Sequence, residues 1–459
     1  MSHQFHPSTL REYDIRGVVG KVLGEADAHA LGRSFGTLVA RGGGSKVAVG
    51  YDGRISSPAL EAALVEGLTT SGIDAVRIGL GPSPMLYYAE AVTEVDGGVQ
   101  ITGSHNPAEY NGFKLVFQGR AFFGEEIRDL ARMAAAGDWV SGQGRVENRA
   151  IMDRYVARLV EGLDARPFRI GWDAGNGAAG PVVKKLVQLL PGEHHLLFTD
   201  IDGHFPHHHP DPTEERNLAQ LRALVLEKHL DFGVAFDGDG DRIGVVDGTG
   251  RVLWGDQLLA IFAEEVLRDR PGATIITDVK ASQALLDRIA DLGGQPLMWK
   301  TGHSLIKSKM KQTGSPLAGD MSGHIFFGHR YYGYDDALYA TVRLIGAASA
   351  AGGLASLCDR LPVTVNTPEL RFPVEESRKF AVIAEVLARL RASGAEVSDL
   401  DGARVTTEDG WWLLRASNTQ EVLVARAEAR DEAGLQRAIQ AIDSQLAESG
   451  VVRLTSNIV

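Results

Sequence analysis

Cysteine is almost missing from this 459-residue chain. Cys358 stands alone, which excludes internal disulfides and any cysteine-rich metal site. It follows an Ala/Gly/Leu-rich helical stretch, so core packing is its expected role. Apolar runs long enough to span a bilayer are missing too; Leu344 to Ala355, one of the longest, is short and rich in Gly, Ala and Ser. The N-terminus turns charged at Arg11-Glu12 without the apolar core of a secretory signal, which predicts a cytoplasmic protein with no membrane contact. Nor is there a basic excess. With 59 acidic against 47 basic residues and a formal charge of -12, nucleic acid would meet a net-repulsive surface, and an anionic substrate would need a local cluster of Arg and Lys. The 44% hydrophobic and 23% charged residues that are present match an ordinary globular protein.

The length exceeds what one core supports, and at roughly 100–150 residues per domain the chain divides into three or four. Short β-rich runs alternate with amphipathic helical runs through the first two-thirds: Lys46 to Gly50, then Pro58 to Ser71, then Ala75 to Leu80. That rhythm implies parallel strands with crossover helices, and it restarts at Phe168 to Asp173 and at Ala273 to Val279. After Asn366-Thr367-Pro368 the pattern changes to strands Ala403 to Thr407, Trp411 to Arg415 and Val422 to Glu428, then one amphipathic helix, Glu432 to Glu448. The expected fold is α/β. Three related mixed-sheet α/β domains, 1–150, 151–254 and 255–366, and a smaller C-terminal α+β domain, 367–459, should surround a central cleft.

Four loops carry the candidate chemistry. The first, Thr102-Gly103-Ser104-His105-Asn106-Pro107, follows a strand at Gly98 to Ile101 and presents Ser104 at a loop tip, with Gly103 permitting a tight turn. Alone, it reads equally as a Ser/Asn turn with no chemistry. In the second, Asp237-Gly238-Asp239-Gly240-Asp241-Arg242, carboxylates alternate with glycines that let the backbone curl, so three hard oxygen ligands can converge on one cation. An EF-hand calcium loop is excluded, because Arg242 stands where its glycine is needed and Gly248 where its glutamate should chelate. Three carboxylates without further protein ligands suit Mg²⁺, which completes its shell with water or phosphate oxygen; a purely structural acidic turn is the competing reading. The third loop, Gly319-Asp320-Met321-Ser322-Gly323-His324, offers a carboxylate and a hydroxyl suited to sugar hydroxyls, though a solvated turn would look similar. The fourth, Arg415-Ala416-Ser417-Asn418-Thr419, supplies a guanidinium fork, two hydroxyls and an amide, the donor set for a phosphate dianion. A packing role for Arg415 competes with that reading.

All four loops, in this order over essentially the whole chain, resemble the signatures of the α-D-phosphohexomutase family, most closely its bacterial phosphomannomutase/phosphoglucomutase branch. The resemblance implies reversible phosphoryl transfer between the 1- and 6-positions of mannose or glucose phosphates. It further implies that Ser104 is carried as phosphoserine, that Asp237, Asp239 and Asp241 bind Mg²⁺, and that Arg242 neutralises developing charge. Glucose or mannose 1,6-bisphosphate would be the intermediate and activator. Glu12-Tyr13-Asp14-Ile15-Arg16-Gly17 is similar to the family's N-terminal stretch, which brings Tyr13 and Arg16 to the phosphosugar. Lys114 and His324 resemble its acid/base groups, and Lys280 and His303 its cleft-lining ones. Asp320, Ser322, Arg415, Ser417, Asn418 and Thr419 are the expected sugar and phosphate contacts. Small sugar phosphates are the expected partners, and a monomer the expected state. Two departures bear on affinity. Position 320 is Asp where the branch usually has Glu, which withdraws the carboxylate by roughly 1.5 Å, and Gln420-Glu421 puts an acid where a Pro is common. Met321 resembles the dual-specificity branch, whereas phosphoglucosamine mutases usually carry Gln there; glucose and mannose phosphates are therefore the expected substrates, with phosphoglucosamine mutase the alternative.

Other readings compete. Gly175-Asn176-Gly177-Ala178-Ala179-Gly180, after strand Phe168 to Asp173, imitates a dinucleotide fingerprint with Asp200 and Asp202 downstream. The aspartate loop at Asp237 leaves no room for a second mononucleotide half, and tight helix–strand packing accounts for the glycines. His204, His207, His208 and His209 invite a zinc reading, but adjacent residues of an extended chain face opposite ways and no acid or thiol completes a ligand spacing. A non-catalytic phosphosugar binder would not need Ser104 and the aspartates together. A sugar-phosphate phosphatase using the same serine and metal differs in releasing free phosphate.

Overall fold

The computed structural model describes residues 2–418 and 420–452, and among these the strands form four sheets. Three of them are built on one pattern. In the first, Lys46–Tyr51 lies parallel between Asp74–Leu80 and Gly97–Ile101, and the chain then turns back antiparallel through Tyr110–Phe117. The second repeats this with Phe168–Asp173 between Gly192–Leu197 and Phe232–Phe236, returning through Ile243–Asp247. In the third, Thr274–Asp278 lies between Gln295–Trp299 and Leu317–Gly319, returning through Ile325–Phe327. Central strands such as Val47-Ala48-Val49 are wholly buried, as a parallel strand covered on both faces requires. The first unit's helices Glu25–Arg41 and Ser57–Thr70 cross at a glycine contact: a Cβ on Gly67 would lie 2.2 Å from the His29 carbonyl.

The fourth sheet is antiparallel. Val365–Asn366 and Leu370–Pro373 both flank Val422–Ala429, followed by Gly410–Ala416, Ala403–Thr406 and Val397–Ser398. Helix Glu432–Glu448 covers it with Leu435, Ala438, Ile442 and Leu446 at spacings of three and four, and all four are buried. This unit is anchored on the third. Arg404 Nη1 donates to the carbonyls of Val279 and Ala281 at 2.6 and 2.9 Å, Arg426 donates to that of Lys280, and Val279 packs against Trp411 and Leu413. The α/β architecture with a C-terminal antiparallel sheet is the one the sequence pattern predicts. Among the described residues no helix is long and apolar enough to cross a membrane. Cys358 is buried, its thiol pushed up to about 11 by burial.

The repeated pattern places the chemistry. In each of the first three sheets the turn between the third strand and its antiparallel return carries one motif: residues 102–109 hold Ser104, residues 237–242 the aspartates, and residues 320–324 Asp320 and His324. The corresponding turn of the last sheet, between Gly410–Ala416 and Val422–Ala429, holds Ser417 and Asn418. Ligand sites of open α/β sheets lie at such strand ends.

Candidate active site

The four turns face one cleft of about 660 Å³, and its wall includes Tyr13, Arg16, Ser104, Lys114, Arg242, Lys280, His303, Asp320, Ser322, His324, Arg415 and Ser417. Asp237, Asp239 and Asp241 lie behind that wall, fully buried. Thr419 lies outside the described residues.

Ser104 does not stand at an exposed loop tip. It is 2% exposed, because the aspartate turn of the second unit closes over it: Ser104 Oγ donates to Asp237 Oδ2 at 2.8 Å and lies 3.2 Å from His105 Nδ1. The tight turn is made by Ser104 itself, whose φ of 48° falls in the left-handed region that non-glycine residues seldom occupy. Glycine at 103 has a different cause: a Cβ there would lie 2.3 Å from Arg54 Nε.

The aspartates converge as the spacing predicts, with one oxygen of each within 4.8 Å of the others. Lys114 Nζ bridges Asp239 Oδ2 at 2.7 Å and Asp241 Oδ2 at 2.5 Å. The opposite oxygens, Asp239 Oδ1 and Asp241 Oδ1, are buried without a hydrogen-bond partner. Burying acceptors unpaired is costly, and these two carboxylate oxygens, of which Asp241 Oδ1 has only the His324 ring at 3.5 Å, are with Asp237 the donor set of a hard divalent cation. The residues therefore fit Mg²⁺. Burial drives Asp237 well above the usual carboxylate range, with Asp241 and Asp239 adding to it. Lys114 is held well above its ordinary value, because Asp239 and Asp241 outweigh the opposing effect of burial.

In the third turn both Asp320 oxygens face His324: Oδ2 is 2.8 Å from Nδ1, and Oδ1 accepts the backbone N–H at 3.0 Å. The shorter acid thus orients an imidazole. Against the downward pull of burial, Asp320 and Asp241 raise His324 to about 10, so it stands as imidazolium. Its 3.2 Å approach to Arg242 Nε is then a contact between two cations held by shared aspartates, since a protonated ring nitrogen cannot accept. His303 stacks on His324 at 5.7 Å and meets Tyr13 edge-on at 5.9 Å. Lys280 Nζ binds Ser322 Oγ at 3.2 Å and Glu369 Oε2 at 3.1 Å.

Arg415 reaches the two oxygens of Asp401 at 3.2 and 3.3 Å, longer than a tight charge-assisted pair. Asn418 Nδ2 donates to Tyr13 Oη at 2.6 Å, Tyr13 Oη donates to the Thr301 carbonyl at 2.7 Å, and Arg16 Nη1 donates to Asn106 Oδ1 at 2.6 Å. The first, third and fourth units therefore meet across the cleft. Glu421 is exposed.

Two sequence signals stay outside the site. His208 Nε2 lies 2.9 Å from the buried Asp173 Oδ2, and His207 stacks on Phe198 at 4.0 Å; among the described residues no three-ligand cluster includes either. In the Gly175 segment a Cβ on Gly180 would lie 2.2 Å from the Thr199 carbonyl and one on Gly177 2.7 Å from that of Gly238, which is close packing. Sequence reasoning missed Asp52, Arg54, Glu369 and Asp401. Only Asp52-Gly53-Arg54 left a signal, charged residues straight after an apolar strand.

Residues 8–139, 153–250 and 254–364 match the phosphoglucomutase/phosphomannomutase α/β/α domains I, II and III, and residues 369–445 match the C-terminal domain of the same family. The chain is 46% identical over 441 residues to a phosphomannomutase/phosphoglucomutase of Pseudomonas putida, covering 96% of this chain and 95% of that one. It is 43% identical over 434 residues to a phosphoglucomutase of Neisseria gonorrhoeae, covering 93% and 94%. The X-ray structure of a phosphoglucomutase/phosphomannomutase family protein from Burkholderia thailandensis superimposes with a TM-score of 0.93 at 43% identity, covering 97% of this chain and 98% of the other.

Proposed function

The chain belongs to the phosphoglucomutase/phosphomannomutase family, and we propose that it interconverts the 1- and 6-phosphates of mannose and glucose through phospho-Ser104 and a hexose 1,6-bisphosphate. The observation that carries the reading is Ser104 Oγ held 2.8 Å from Asp237, in the wall of the cleft that the Arg415 turn also faces. A sugar hydroxyl oxygen attacks the phosphorus on Ser104, and the phosphorus–Oγ bond breaks. Lys114 and His324 are both protonated at rest. One gives its proton to the departing Ser104 oxygen, and the hydroxyl proton of the sugar returns to the group that gave it. After the bisphosphate turns over, its other phosphoryl group goes back to Ser104.

Asp237, Asp239 and Asp241 would hold the Mg²⁺ that the family implies, and that ion when bound supplies positive charge to the transferred phosphoryl oxygens. Arg242 faces the same charge. Arg415, Ser417, Asn418 and Thr419 grip the distant phosphate, while Tyr13, Arg16, Lys280, His303, Asp320 and Ser322 line the sugar's path. The division at residues 150, 254 and 366 belongs to the same proposal, supported by one main sheet in each part, although Val365–Asn366 already pairs into the fourth. Glucose 1,6-bisphosphate or mannose 1,6-bisphosphate would recharge an enzyme that has lost its phosphoryl group.

A coupled assay of glucose, mannose and glucosamine 1-phosphates, with Mg²⁺ and catalytic glucose 1,6-bisphosphate, tests the reading. Net isomerisation of the first two is expected. Preferential turnover of glucosamine 1-phosphate would assign it to phosphoglucosamine mutases, and stoichiometric phosphate release would make it a phosphatase.

A further inference from the structure

Arg54 is only 2% exposed and lies outside the cleft wall. It leaves the end of strand Lys46–Tyr51 and points under the Ser104 loop. There Nη1 donates to the carbonyls of Pro107 and Tyr110 at 2.6 and 2.9 Å, and Nη2 to those of Ser104 and Asn106 at 2.8 and 2.6 Å. Three carbonyls of the eight-residue turn, and that of Tyr110 at the start of the returning strand, thus converge on one side chain. Asp52 completes the arrangement: its Oδ2 lies 3.2 Å from Arg54 Nε and accepts the Gly103 N–H at 3.1 Å, while Oδ1 accepts the Ser57 hydroxyl at 2.6 Å. The second unit closes the other side, with the Phe205 ring 5.2 Å from the guanidinium carbon.

Within the turn the Pro107 carbonyl also accepts the Tyr110 N–H at 3.0 Å, whereas Ser104 is buried, and a buried carbonyl left unpaired is costly. Ser104 adds the cost of a left-handed backbone at a residue with a side chain. The Arg54 fork meets both demands, and no ammonium reproduces it, because a point charge lacks the planar spread of donors. We propose that Arg54 is a positioning residue for phosphoryl transfer: by gathering the Ser104, Asn106, Pro107 and Tyr110 carbonyls it holds Ser104 in the left-handed conformation that aims Oγ at Asp237. The proposal rests on Ser104 being the residue that carries the phosphoryl group.

The test uses the full chain with Mg²⁺ and two variants. Arg54→Lys keeps the charge and removes the fork. Gly103→Ala keeps Arg54 but places a Cβ 2.3 Å from its Nε, and Gly103 itself has no positive φ to forbid alanine. Each is measured for folded fraction, for KM and kcat, and for the single-turnover rate of transfer from phospho-Ser104 to glucose 1-phosphate. Per folded molecule, kcat and the transfer rate should fall on the order of tenfold to a hundredfold, with KM within about twofold, because Arg54 does not line the cleft. The double variant should lose less than the product of the two single losses. A folded variant with wild-type kcat overturns the proposal. So does a rate that falls only with folded fraction, a change confined to KM, or failure of both variants to fold, which would make Arg54 a packing residue. A wild-type protein that never carries phosphate on Ser104 would instead remove the functional reading itself.

Discussion

Lys114 is the side chain on which the charge balance of the site turns. The residue is 4% exposed, and its ammonium lies between Asp239 and Asp241, both wholly buried. Lys114→Met keeps much of the stem and removes the charge, leaving the Arg242 guanidinium and the His324 ring as the positive groups near the three carboxylates. Deleting one partner of a buried ion pair costs about 3–5 kcal/mol. At roughly 2–4 °C per kcal/mol for units of about this size, the first thermal transition should drop by roughly 6–20 °C in EDTA. Mg²⁺ brings positive charge to the same carboxylates, and ligand at a hundred times its dissociation constant contributes about 2.7 kcal/mol. The variant should therefore gain more from Mg²⁺ than the wild type does, while losing mutase turnover. Scanning calorimetry of both proteins, in EDTA and in saturating Mg²⁺, reads the four midpoints. If the variant melts with the wild type in EDTA, or responds to Mg²⁺ no more than the wild type, the assigned balance is wrong.

Two further outcomes follow from other parts of the molecule. Arg415→Ala removes a charge-assisted phosphate contact worth about 1.5–3 kcal/mol, so KM for glucose 1-phosphate should rise roughly tenfold to a hundredfold in steady-state assays; an unchanged KM would remove Arg415 from the phosphate site. Asp336, buried beneath Tyr155 and Tyr331, is pushed up to about 7 by burial, so its contribution to stability is complete below its unfolded pKa of about 3.9 and is lost as pH rises to 7. The stability of Asp336→Asn relative to wild type should therefore rise across that window, by at most about 1.4 kcal/mol per pH unit; denaturant titrations giving a pH-independent difference would contradict it.

Strand and helix periodicity made the fold legible, because the central strands carry apolar runs such as Val47-Ala48-Val49 and Ile275-Ile276, and helices such as Glu432–Glu448 bury one face. The four motifs were legible for a local reason: each occupies a single turn, so its residues are neighbours in the chain. What could not be read depends on contacts between distant segments. Ser104 looked exposed because its own turn says nothing of the aspartate turn, 133 residues on, that covers it. Asp320 looked free for sugar until the fold curled His324 back onto both its oxygens. Gly103 looked like a turn glycine, whereas the side chain of Arg54 is what excludes a Cβ. Glu369, paired with Lys280 across 89 residues, left no local trace.

The central claim is that Ser104 is the way station for the phosphoryl group, and intact-protein and peptide mass spectrometry test it directly. Wild-type protein incubated with Mg²⁺ and glucose 1,6-bisphosphate should gain one phosphoryl group, located on Ser104 and discharged by excess glucose 1-phosphate, while Ser104→Ala gains none and does not turn over. Phosphate on another residue, or a Ser104→Ala protein that interconverts hexose phosphates at the wild-type rate, would contradict the account.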